Sequence, residues 1–153
     1  MSEQAGQWTM DIALDLCRQA LAEGRRRGLA VLTAAVLDRG GHLMVLLRSD
    51  GSSLLRPQIA VAKAWGVLAM GFGGRELARR AATQPVFYGA LSDLSGGNVV
   101  PLPGGVLVRD AQGLLLGAIG VTGDTADNDE LCAVAAVRAL GLVADTGAKV
   151  SEA

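Results

Sequence analysis

The sequence predicts an α/β (α+β) fold: an antiparallel sheet of about five strands flanked by helices on both faces. Three observations predict it. Apolar segments of strand length meet at tight polar turns, Asp38-Arg39-Gly40-Gly41 and Asp110-Ala111-Gln112-Gly113, which is hairpin chemistry and implies antiparallel pairing. The segments VLTAAVL and LMVLL are apolar nearly throughout instead of alternating, so both faces of the sheet must be covered. Other segments carry apolar residues at helical spacing and can provide that cover.

In chain order, Thr9 opens a first helix whose buried stripe is Ala13, Leu16, Cys17, Ala20, Leu21 and Gly24. Arg25-Arg26-Arg27 and then Gly28 close it, with cations in the last turn and glycine after it. Leu29–Leu37 and His42–Arg48 form the first hairpin. Pro57 stands in the first turn of a second helix that runs through Gln58–Met70, with Ala60, Ala64, Val67 and Leu68 facing in. Gly71-Phe72-Gly73-Gly74 breaks it, and Arg75–Ala82 forms a short further helix. Val86–Ala90 reads as extended, and LSDLSGGN, from Leu91 to Asn98, reads as a loop. Val106–Arg109 and Leu114–Val121 make the second hairpin. A last helix follows, opened by Asp129-Glu130 with Asn128 or Asp127 as its cap. Asp145–Ala153 reads as a frayed end.

The length of 153 residues fits one domain spanning 1–153, with its core at about 9–143. Half the residues are hydrophobic, yet only Trp8, Trp65, Phe72, Phe87 and Tyr88 are aromatic, so the core is aliphatic. A formal net charge of −1 and no interleaving of aromatic with basic residues argue against nucleic acid as a partner. No basic leader precedes an apolar run at the N-terminus, and no run reaches the ~20 residues of a membrane span. The expectation is a cytoplasmic protein with no membrane association. Cys17 and Cys132 read as reduced buried thiols, without the CxxC spacing of a zinc site. A chain this apolar has few charged positions to spread over its helices, which predicts a homo-oligomer, a dimer or higher.

Several ordered motifs resemble one known family. LDRGGHLMVLLRSDG, then IAVAKAW, then PLPGG, a hairpin, GAIGVTG and a DE-led alanine-rich helix are similar to the GlcG/HbpS family of haem-binding-type proteins. That family also includes the C-terminal domain of PduO cobalamin adenosyltransferases. The resemblance covers about Ile12 to Leu142. It implies a profilin-like or PAS-like α/β sandwich, haem as a cofactor and an oligomeric state.

The residues that could carry chemistry are few. His42 is the only histidine, placed where the Gly40-Gly41 turn enters a strand. Its imidazole could ligate haem iron or move a proton near neutral pH, or it could be a plain turn histidine. Lys63 lies on an apolar helix face, where its amine either snorkels to water or sits in a pocket beside an acid. His42 and Lys63 could face one cavity. Arg48 and Arg56, near Ser52 and Ser53, could hold a carboxylate or a haem propionate. Asp124, Asp127, Asp129 and Glu130 match no calcium loop and suit helix capping, so no metal site is assigned. Glu130 could be a general acid or base, or the partner of Lys63. Gly104 and Gly105 form no phosphate loop; they mark close packing or an approaching ligand.

Three functions fit. One is a small-molecule binding protein of the GlcG/HbpS type, taking haem or a related tetrapyrrole through His42, Arg48, Arg56, Lys63, Gly104 and Gly105. Another is a small catabolic enzyme, of isomerase or lyase type, with His42, Lys63 and Glu130 as its acid–base set on a carboxylated metabolite. The third is a non-catalytic oligomeric accessory subunit.

Overall fold

The computed structural model describes residues 7–148. Helix α1 (Met10–Arg26) starts at Thr9, whose Oγ1 accepts from the Ile12 amide at 3.2 Å. Strands β1 (Thr33–Asp38) and β2 (Leu43–Arg48) form the first hairpin. Three helices follow: α2 (Arg56–Met70), α3 (Gly74–Thr83) and α4 (Pro85–Leu94). Strands β3 (Gly105–Arg109) and β4 (Leu115–Thr122), helix α5 (Ala126–Ala139) and the short strand β5 (Val143–Asp145) complete the chain. The sheet order is β2-β1-β4-β3-β5, and every neighbouring pair is antiparallel.

Alternation along the strands divides the interior into two layers. Ala34 and Val36 of β1, Val106 and Val108 of β3, and Ile119 and Val121 of β4 pack under α1 and α5. Ala35, Leu37, Leu107 and Ala118 point the other way, against Ala60, Ala64 and Val67 of α2, Leu77 of α3 and Tyr88 of α4. Both faces are covered, which is why the strands carry so few polar residues. Gly105 and Gly120, paired across β3 and β4, let α2 lie directly on the sheet. A Cβ on Gly120 would collide with the Ala60 carbonyl oxygen, and one on Gly105 with that of Lys63.

Four boundaries differ from the sequence reading. Val86–Ala90 is helical, not extended, and α4 runs on to Leu94 through what reads as a loop. Pro85 starts that helix in the position proline favours, and Tyr88 anchors it while Val86 and Phe87 stay exposed. The fifth strand is instead Val143–Asp145, pairing with β3 where the chain reads as fraying, and an Arg109–Asp145 ion pair at 3.1 Å fixes it. Helix α5 begins at Ala126, because Thr125 rather than Asn128 or Asp127 is the cap and accepts from the Asn128 amide. Finally, β1 starts at Thr33 and His42 lies in the turn before β2. Residues 149–153 of the expected frayed end lie outside the described residues.

Candidate functional site

The polar groups gather at the two ends of the sheet. At one end the β1–β2 turn folds around Asp38. Its carboxylate accepts from the Gly40 amide at 2.9 Å and the His42 amide at 3.0 Å, and it faces His42 Nδ1 at 3.1 Å. The His42 amide, with help from its ring and the Gly40 amide, holds the Asp38 carboxyl below the usual carboxylate range against the opposing effect of burial. The imidazole itself is 80% exposed. With Nδ1 donating to the carboxylate, Nε2 is left as the outward basic nitrogen, the arrangement that orients metal-ligating histidines. Beside it is a pocket of about 440 Å³ lined by Trp8, Arg39, Met44, Leu115 and Leu116. Trp8 is held there by an indole N–H donated to the Leu37 carbonyl at 3.2 Å.

The other end is organised by Lys63. Its stem runs along α2 toward the sheet, and its ammonium donates to the Val121 carbonyl at 3.0 Å and to Asp129 Oδ2 at 3.1 Å. Asp129 Oδ1 in turn accepts from the Asp124 amide at 2.9 Å. Both side chains are buried to within 2% of full enclosure. Loss of water pulls the lysine below its ordinary range and pushes the aspartic acid above its own, each partly offset by the other's charge. Gly104 (φ +115°) leaves room for this pair, since a Cβ there would stand 2.7 Å from the Val121 oxygen and 2.8 Å from Lys63 Nζ. Arg56 Nη1 donates to Thr122 Oγ1 at 2.7 Å, and Arg48 Nη2 donates to the Ser52 carbonyl.

The structure therefore brings together Lys63, Gly104 and Gly105, with Arg56 and Arg48 at the same end. It keeps His42 apart from them. Thr33 pairs with Thr122 and Asp38 with Gly117, so the length of β1 separates the two ends, about 17 Å at the usual strand rise. The single cavity expected for His42 and Lys63 is not formed. Nor is Glu130 the partner of Lys63: Asp129 is. One residue further on, Glu130 turns to α3 and accepts from Arg75 Nη2 at 2.8 Å, and Asp127 from the same nitrogen at 2.7 Å. These two acids raise the Arg75 pKa above its ordinary value. Among the described residues no three His, Cys, Asp or Glu side chains converge as metal ligands. Cys17 and Cys132 are free and buried.

Sequence reasoning missed Asp38, Trp8 and Arg39 at one end and Asp129 and Arg75 at the other. Asp38 and Asp129 were visible only as turn and cap residues, since nothing local tells which side chain an acid will meet across the fold. Trp8 precedes the first helix and has no periodic signal at all.

The fold is an open antiparallel sheet with helices on both faces, and an exposed imidazole stands at its rim. The chain belongs to the HbpS-like family: a family model described as haem degrading protein HbpS-like matches residues 8–138. A double variant of HbpS from Streptomyces reticuli is 31% identical, with a TM-score of 0.75 over 88% of each chain. The PduOC:heme complex shares the fold, with a TM-score of 0.80 at 24% identity, over 90% of this chain and 98% of that one. Among curated proteins, the corrinoid adenosyltransferase PduO of Salmonella typhimurium is 30% identical over 128 residues, 83% of this chain and 37% of that protein. The PduO of Citrobacter freundii is 30% identical over 108 residues, 71% of this chain and 32% of that protein. The chain spans about a third of the length of these curated relatives. Among the described residues, no helix is long and apolar enough to cross a membrane.

Proposed function

We propose that this chain is an accessory protein that binds haem or a related tetrapyrrole, with His42 as its axial ligand. One observation carries the reading. The only imidazole of the chain stands exposed, its Nδ1 taken by Asp38, at the mouth of a pocket walled by Trp8, Met44, Leu115 and Leu116. These residues fit the group: an outward nitrogen for iron, an indole and aliphatic side chains for the macrocycle, and the Arg39 guanidinium for a propionate. Haem, when bound, supplies iron redox chemistry; the chain supplies the ligand, its orientation and an apolar wall. The family description and the haem complex of a structural neighbour support the same reading. Two free thiols accord with a cytoplasmic location.

The acid–base enzyme has less to stand on, because His42, Lys63 and Glu130 are not assembled and the Lys63 amine is enclosed. A homo-oligomer is part of the proposal. Leu54, Val86 and Leu94 are all more than 80% exposed, apolar surface that a subunit contact would cover.

Titration with haemin tests the function. A Soret band should grow saturably with wild-type protein, and His42→Ala should abolish or shift it. An unchanged spectrum in the variant rejects His42 as the ligand. No band in the wild type leaves the accessory-subunit reading.

A further inference from the structure

We infer that the corner between the end of β2 and the start of α2 binds the oxyanion group, carboxylate or phosphate, of a small metabolite. Three independent observations meet there. The first is unpaired positive charge. Arg48 and Arg56 are fixed by neutral oxygens alone, the Ser52 carbonyl and the Thr122 hydroxyl, which place both guanidiniums without neutralising them. Neither has an ion pair among the described residues.

The second is a pair of hydroxyls without partners. Thr33 Oγ1 and Ser52 Oγ are buried and make no hydrogen bond, although Thr33 is fully enclosed and Ser52 is 4% exposed. A buried hydroxyl left unpaired costs free energy, so each calls for a group that it could donate to. The register shows that they belong to this corner. Thr33 lies directly between Arg48 on β2 and Thr122 on β4, and side chains paired in this way share a face. That face is the one carrying Ala35 and Leu37, toward α2. Ser52 lies in the segment that joins Arg48 to that helix.

The third is the helix itself. The N-cap of α2 is Leu55, which has no side-chain acceptor, and no acid stands in the first turn. Of its first three residues, Arg56 gives its amide to the Ser53 carbonyl and Pro57 has none, so the Gln58 amide is what this end of the helix has left to offer. Two guanidiniums, two hydroxyls and the Gln58 amide make this corner rich in donors. Arg48 is exposed and Arg56 half-buried, so the corner is open to solvent from the β2 side. The inference does not depend on haem, whose proposed ligand is at the opposite end of the sheet.

Amide-resolved NMR titration tests it, with inorganic phosphate and with malonate as separate probes. One or both should move the Ser52, Ser53, Gln58 and Thr122 amides saturably, and the comparison tells which oxyanion the corner prefers. Arg48→Gln and Arg56→Gln should each weaken binding about tenfold or more, as loss of a charged hydrogen bond does. Arg138→Gln, in the last turn of α5, should leave it unchanged. Ser52→Ala should weaken binding without lowering the melting temperature, since its hydroxyl contributes no hydrogen bond to the unliganded fold. If Arg56→Gln fails to fold, the exposed Arg48→Gln decides. Absence of saturable shifts with both probes overturns the inference, as does binding indifferent to Arg48.

Discussion

Lys63 and Asp129 meet across the end of the sheet, Nζ to Oδ2 at 3.1 Å, although their helices cover opposite faces. The contact ties the α2 layer to the α5 layer where no strand separates them. Removing one charge leaves the other enclosed without a partner, which costs about 3–5 kcal/mol. Lys63→Ala and Asp129→Ala should therefore each lower stability by that amount in urea titration. Lys63→Met with Asp129→Leu should recover most of it. A double variant as weak as the single ones would mean that the pair is not the source of the loss.

Gly120 should tolerate no side chain. A methyl group there meets the Ala60 carbonyl, which cannot retreat without moving α2. Gly120→Ala is expected to cost about 1–3 kcal/mol, the usual range for overpacking, and to be measurable as a lower melting temperature. Gly89→Ala, where nothing lies within 4 Å of the added atom, is the control and should be neutral or slightly stabilising.

The Asp38 turn should open on acidification. Its carboxyl pKa is lowered in the folded state, so its contribution is fully present above the unfolded value of 3.8. It is lost as pH falls through the still lower folded value. Protection of the Gly40 and His42 amides against hydrogen exchange should fall over that interval, relative to an intrinsic-rate reference. Asp38→Asn should remove most of the pH dependence.

The two thiols should be unreactive in the native protein. Burial raises Cys17 to about 12 and Cys132 to about 11, so almost no thiolate exists near neutrality. Modification by a thiol reagent at pH 8 should follow unfolding, with both sites reacting together in denaturant.

Much of the architecture was legible in the sequence because hairpin turns and two-sided apolar strands are local signals. The misread segments were those whose state is decided at a distance. Residues 86–90 (VFYGA) carry β-prone residues, and only the seat for Tyr88 beneath α2 and α3 makes them helical. Val143–Asp145 is too short to announce itself and is a strand because β3 offers a free edge. The same holds for the sites. His42, Arg48, Arg56 and Lys63 could be named from residue type and position. Their division between two ends of the sheet follows from register, which pairs Thr33 with Arg48 and Thr122 and places the turn after Asp38 a strand's length away.

Both tryptophans of the chain flank the same turn. Trp8 lines the His42 pocket, and Trp65 packs its indole under Gly41. Intrinsic fluorescence thus watches a single end of the molecule. A macrocycle seated at His42 would quench both emitters by energy transfer, whereas an oxyanion held by Arg48 and Arg56 would leave the emission dark to its arrival. The protein comes with an optical label at one of its two ends, which reports a non-absorbing ligand only when that ligand reaches the His42 end.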